Sequence, residues 1–144
     1  MSHGETIAAL LGRLVLGWFF LVEAYSYGTD WDNTVMLLSM KDLPLAQLVL
    51  AVSLPMIVLS SLSLILGFHT RVGALTLFLI TIAATVTVHD YWVLTAPVAR
   101  AEDFSIFSRN IAIAAGLLLL IGMGAGKFAL DNARQNSRRD RGSR

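Results

Sequence analysis

At 144 residues, 56% hydrophobic and only 15% charged, with a mean hydropathy of +0.67, the chain is too apolar for a soluble domain of its size. The absence of cysteine excludes disulfides, thiolate nucleophiles, iron–sulfur ligation and cysteine-based zinc sites. A net charge of +1 hides a strong asymmetry along the chain, and nothing in it points to a nucleic-acid partner.

Four apolar runs, roughly Thr6–Ala24, Pro44–Phe68, Val72–Val88 and Ile106–Met123, are each long enough to cross about 30 Å of hydrocarbon as a helix. They predict an all-α, antiparallel bundle of four transmembrane helices. The membrane domain covers 1–126 and a basic tail covers 127–144. The first run is a retained helix and not a cleaved signal, because no basic segment precedes it and Arg13 interrupts it. It ends in Tyr25, Tyr27 and Trp31, aromatics suited to the headgroup level. In the loop that follows, VMLLSM is apolar but too short to span, and is expected to lie on the membrane surface as a partial helix.

The second helix carries Pro55 near its middle with Ser53, Ser60, Ser61 and Ser63 around it. Proline removes a backbone donor and predicts a kink there. The third helix is rich in threonine, at 76, 81, 85 and 87. In lipid such hydroxyls bond back to their own helix or across to a neighbour. The acidic stretch ARAEDFS reads as a loop before the fourth helix. The tail SRRDRGSR reads as polar and unstructured.

Lysine and arginine set the orientation. Lys127, Arg134, Arg138, Arg139, Arg141 and Arg144 follow the last run, and Arg71 joins them in the short 2–3 connection. The other side has Lys41, Arg100 and Arg109 against Asp30, Asp32, Asp42, Asp90, Glu102 and Asp103. Both termini are therefore expected in the cytoplasm, with the protein in a bacterial-type cytoplasmic membrane.

Two motifs are discounted. GMGAGK is one residue short of a phosphate loop and ends a helix instead of opening one. His69 and His89 bracket the third helix and stand about 30 Å apart, so one haem cannot take both, and no intrinsic haem is expected. Arg13, two turns inside the first helix, is either a functional intramembrane charge or a side chain that snorkels to the cytoplasmic surface. At the opposite face Glu23 ends helix 1, His89, Asp90 and Tyr91 end helix 3, and Arg109 and Asn110 open helix 4. These residues form a candidate ligand site, near a helix N-terminus that favours anions. The alternative is an aromatic belt with structural ion pairs.

GRLVLGWFFLVEAYSY, LGFHTRVGALTLFLITIAATVTVHDYW and RNIAIAAGLLLLIGMGAGKFALD, taken in order, resemble the DoxX family. The resemblance rests on Gly-Phe-x-Thr-Arg, the His-x-x-Trp ending, Arg-Asn-x-Ala and Gly-x-Gly-Lys before an aspartate. It implies a small four-helix membrane protein, often a subunit of a larger assembly, with some members in a thiosulfate:quinone oxidoreductase. The family commonly has a lysine near the position that is Tyr27 here.

Two functions follow as expectations. One is a quinone-linked redox subunit in which His89 exchanges a proton with the quinone, Tyr91 or Asn110 bonds a carbonyl, and Glu23 or Asp90 orients the histidine. Electrons then come from a cofactor on another membrane subunit. The other is a non-catalytic accessory subunit that packs against a larger complex. A transporter is disfavoured, since four spans show no inverted repeat.

Overall fold

The computed structural model describes residues 3–124. Among them are five α-helices and no strand: α1 His3–Thr29, α2 Trp31–Met40, α3 Ala46–Leu66, α4 Thr70–Val88 and α5 Pro97–Met123. Four of these, all but α2, are long and apolar enough to cross a membrane. The basic tail expected after Gly126 lies outside the described residues.

The boundaries differ from expectation where polar sequence is helical. α1 continues past Ala24 to Thr29, and the Thr29 hydroxyl donates to the Tyr25 carbonyl at 3.0 Å. ARAEDFS, expected as a loop, forms early turns of α5. Pro97 sits in the first turn of that helix, where its missing N–H costs nothing and its fixed φ suits a helix. At 27 residues α5 is about 40 Å long, so its polar first turns stand beyond a hydrocarbon core of about 30 Å. The VMLLSM stretch lies in α2, which has no buried residue. α3 runs from Ala46 to Leu66 with Pro55 inside it.

The spanning helices pack as neighbours in the order α1, α3, α4, α5, while α1 and α5 meet only briefly. Phe20, Ala24, Ile57, Leu64, Leu77 and Leu117 belong to the core they enclose. Two glycines set the closest approaches. A Cβ on Gly17 would lie 2.5 Å from Ile65 Cγ1 and 3.0 Å from the Ser61 carbonyl oxygen; one on Gly73 would lie 2.8 Å from Ser63 Oγ and 3.0 Å from the Ser60 carbonyl oxygen. Helices in lipid associate by van der Waals packing, so backbones brought this close are the source of stability.

The α3–α4 turn gives the Gly-Phe-x-Thr-Arg motif a physical basis. Gly67 is left-handed, with φ 69°. Its N–H bonds to the Leu64 carbonyl at 3.2 Å, and the Phe68 N–H bonds to that of Ser63 at 3.1 Å. This is a Schellman stop. Thr70 is buried, and Arg71 reaches the Gly122 carbonyl at 3.5 Å, placing a cation at the C-terminus of α5 where the helix dipole favours it.

Arg13 corrects an expectation. It is 1% exposed, so it does not snorkel to the surface but lies enclosed by the bundle. Gly17 meets Ser61 and Ile65, and Arg13 is four residues earlier, about 6 Å along the axis. That puts it near the level of the α3–α4 turn.

Candidate functional site

The polar residues on the α2 side divide into two groups. The first is a cap over the ends of α4 and α5. His89 terminates α4, its N–H bonding to the Thr85 carbonyl at 3.2 Å. Its Nδ1 lies 2.8 Å from Asp103 Oδ1, with both side chains mostly buried. Asp90 is bound by Lys41, which ties the segment after α2 to the segment after α4. The Lys41 hydrogen bond holds the Asp90 carboxyl below its ordinary value of 3.8, because it favours the ionised form. The Tyr91 ring stacks edge-on with Phe104 at 5.0 Å and with Phe107 at 5.2 Å. These two rings lie on the first turns of α5. They are available to Tyr91 only because that segment is helical.

The second group lies deeper, in a partly enclosed cavity of about 60 Å³ among α1, α3, α4 and α5. Helical spacing puts Phe19 or Phe20, Glu23 and Tyr27 on one face of α1. All four line the cavity, together with Ile57, Ile80, Thr81, Ala84, Asn110 and Ile113. Tyr27 and Glu23, one helical turn apart, both face the cavity. The Arg109 guanidinium stands 5.9 Å from the centre of the Phe19 ring, within cation–π range, so it bridges the sparse α1–α5 seam. The result is a largely apolar, aromatic-walled niche whose lining includes a carboxyl, a phenol, a hydroxyl and an amide. This composition is typical of small-molecule sites.

The expected site residues are thus not brought together as one cluster. Glu23 and Asn110 line the cavity and Arg109 stands beside it. His89, Asp90 and Tyr91 do not line it and belong to the cap. The acid that holds His89 is Asp103, neither Glu23 nor Asp90, since Asp90 is engaged by Lys41. Sequence reasoning passed over Tyr27, Thr81 and Asp103 as site residues. Tyr27 and Glu23 carry a usable signal, being four apart on a helix. Thr81 was legible only as one of several threonines. Asp103 was assigned to a loop.

The DoxX family model matches residues 8–90, the part of the chain from α1 through the end of α4. The chain is also similar to the inner membrane protein YphA of Escherichia coli (strain K12), with 27% identity over 125 residues covering 87% of this chain and 89% of that protein. No solved structure matches the chain.

Proposed function

The chain belongs to the DoxX family, and on that premise we propose that it is the quinone-binding membrane subunit of a redox complex in the cytoplasmic membrane. The carrying observation is the cavity: Glu23, Tyr27 and Asn110 share its lining with Phe19, Phe20, Ile57 and Ile113. A flat apolar ring with polar oxygens, arriving from lipid, matches that pattern better than a charged or fully polar solute. At about 60 Å³ the cavity holds the volume of roughly two liquid waters. It admits the leading edge of a ring, with the remainder and the tail lying between helices or in lipid.

When bound, a quinone supplies two-electron, two-proton redox chemistry, with electrons exchanged through a cofactor on a partner subunit. The residues of this chain bind and manage protons. Glu23 is the proton-exchanging group, because it lines the cavity while the Nδ1 of His89 is taken by Asp103. Tyr27 offers a phenol and Asn110 an amide to a ring oxygen. Intramembrane carboxyls are costly unless they serve such a role. The relative's name and the excess of lysine and arginine after the last span support a cytoplasmic-membrane location with both termini in the cytoplasm.

A second reading, the non-catalytic accessory subunit, is favoured by α5, of which only 17% of the apolar window is buried against 28% for each other span. Purification in mild detergent, with quinone extraction and mass spectrometry of partners, separates the two. Quinone retained by the wild-type complex and lost in Glu23→Gln supports the first. Partners retained without quinone above the membrane background overturn it and leave the second.

A further inference from the structure

Three threonines of α4 stand in contrasting states. The Thr85 hydroxyl donates to the Thr81 carbonyl at 2.6 Å, and the Thr87 hydroxyl donates to the Ala83 carbonyl at 2.7 Å. Both follow the usual habit of hydroxyls in a membrane helix, which return to the backbone one turn earlier. Thr81 does not. It is 8% exposed, its Oγ1 is buried with no hydrogen-bond partner, and it lines the cavity with Glu23 and Asn110. A buried hydroxyl left unbonded is destabilising, so its presence here, where Thr85 and Thr87 on the same helix are satisfied, calls for a partner that enters the cavity.

We propose that the Thr81 hydroxyl is the donor that fixes a carbonyl oxygen of the ring bound between α1, α4 and α5. This rests on the quinone reading of the cavity and adds to it the group that recognises the ligand. The chemistry of the lining supports the assignment. Glu23, when ionised, only accepts hydrogen bonds. Tyr27, Thr81 and Asn110 are then the cavity side chains with a proton to give to a carbonyl, and Thr81 is the one whose polar atom is buried without a partner. Thr81 and Asn110 come from α4 and α5, which pack directly against each other, so their spacing is fixed by the scaffold. Ile80, Ala84 and Ile113 beside them offer no competing polar group. Thr81 is therefore a specificity residue: it rewards a ring bearing a carbonyl and gives nothing to the same ring without one.

The test uses the full chain in lipid nanodiscs, with two probes: a short-chain benzoquinone and the oxygen-free arene of matching shape. Thr81→Val keeps the shape and removes the hydroxyl, whereas Thr81→Ser keeps the hydroxyl. Thr81→Val is expected to weaken benzoquinone binding by about tenfold, one hydrogen bond, while arene binding is unchanged and Thr81→Ser binds benzoquinone as the wild type does. Without probe, Thr81→Val should unfold at the same temperature or higher, because no native bond is lost. A lower unfolding temperature for the unliganded valine variant shows that the hydroxyl serves the fold, and overturns the proposal. Equal losses for both probes, or none for either, also overturn it and leave the quinone reading standing. Failure of the wild type to bind benzoquinone sinks that reading itself.

Discussion

Nδ1 of His89 lies 2.8 Å from Oδ1 of Asp103, which binds the last residue of α4's cap to the second turn of α5. The loop between the two helices, residues 89–96, holds only short-range turns, so this contact and the Tyr91 ring cluster fix how α5 enters the bundle. Removing either partner should therefore act on stability before it acts on binding. His89→Ala and Asp103→Ala are each expected to lower stability by about 1.5–3 kcal/mol, the range for a hydrogen bond to a charged group. The double mutant should show coupling of about 1 kcal/mol. Unfolding in mild detergent measures both, and additive losses would mean that the two side chains do not act as a pair.

Lys41 and Asp90 give the cap a dependence on pH. The carboxyl of Asp90 is held below 3.8 by the Lys41 hydrogen bond. A carboxyl with a depressed pKa in the folded state stabilises the protein above its unfolded pKa and loses that contribution as pH falls through the folded value. Lys41→Met should thus unfold at a lower temperature than the wild type at neutral pH. The two curves should converge as pH is lowered below 3.8. A gap that stays constant down to the most acid point would show that Lys41 acts through packing and not through Asp90.

The spans were legible because hydrophobic length is a strong signal: Pro44–Phe68 contains all of α3, and Val72–Val88 falls two residues short of α4. What failed was the polar sequence. Glu102 and Asp103 look like loop residues in a membrane protein, yet they are helical because Pro97 starts α5 well outside the apolar core. That single misassignment also hid the Asp103 partner of His89, since a residue placed in a loop has no defined face. Glu23 and Asn110 were found as helix-end polar residues, but their helical phase, not their nearness to the membrane edge, puts them in the cavity. His89 and Asp90 share that edge and miss the cavity. Depth is readable from hydropathy; facing across a bundle is not, until the order α1, α3, α4, α5 is known.

Close backbone packing at Gly73 should be sensitive to one methyl group. Ser60 O and Ser63 Cβ would each lie 3.0 Å from the new Cβ, and a backbone oxygen cannot move aside without shifting α3. Gly73→Ala is expected to cost about 1–3 kcal/mol through overpacking. Gly12, whose Cβ would meet nothing within 4 Å, is the control, and Gly12→Ala should be neutral or slightly stabilising through helix propensity. Equal behaviour of the two variants would show that α3 and α4 do not approach this closely in the bilayer.

The excess of lysine and arginine after the last span favours both termini in the cytoplasm. A reporter that is active only in the cytoplasm, fused after Arg144, should be active. One inserted between α4 and α5, after Thr95, should be inactive. Activity in the reverse pattern would place the cap of His89 and Asp103 in the cytoplasm and would require protons of the Glu23 cavity to be exchanged with that side.

Arg13 separates a lipid-facing protein decoration from a structural element most sharply. At 1% exposure it is one of the largest fully enclosed side chains of the bundle, and its guanidinium stays charged at any accessible pH. Truncation removes its packing and strands whatever charge complement surrounds it, so Arg13→Ala should cost about 2–5 kcal/mol. Arg13→Lys should recover only part of this, because an ammonium lacks the planar fork that an enclosed guanidinium uses for hydrogen bonding. Folded yield and unfolding temperature in mild detergent give the readout. A loss within about 0.5 kcal/mol, the ordinary range for surface positions, would show instead that the side chain reaches the membrane surface and that the bundle closes without it.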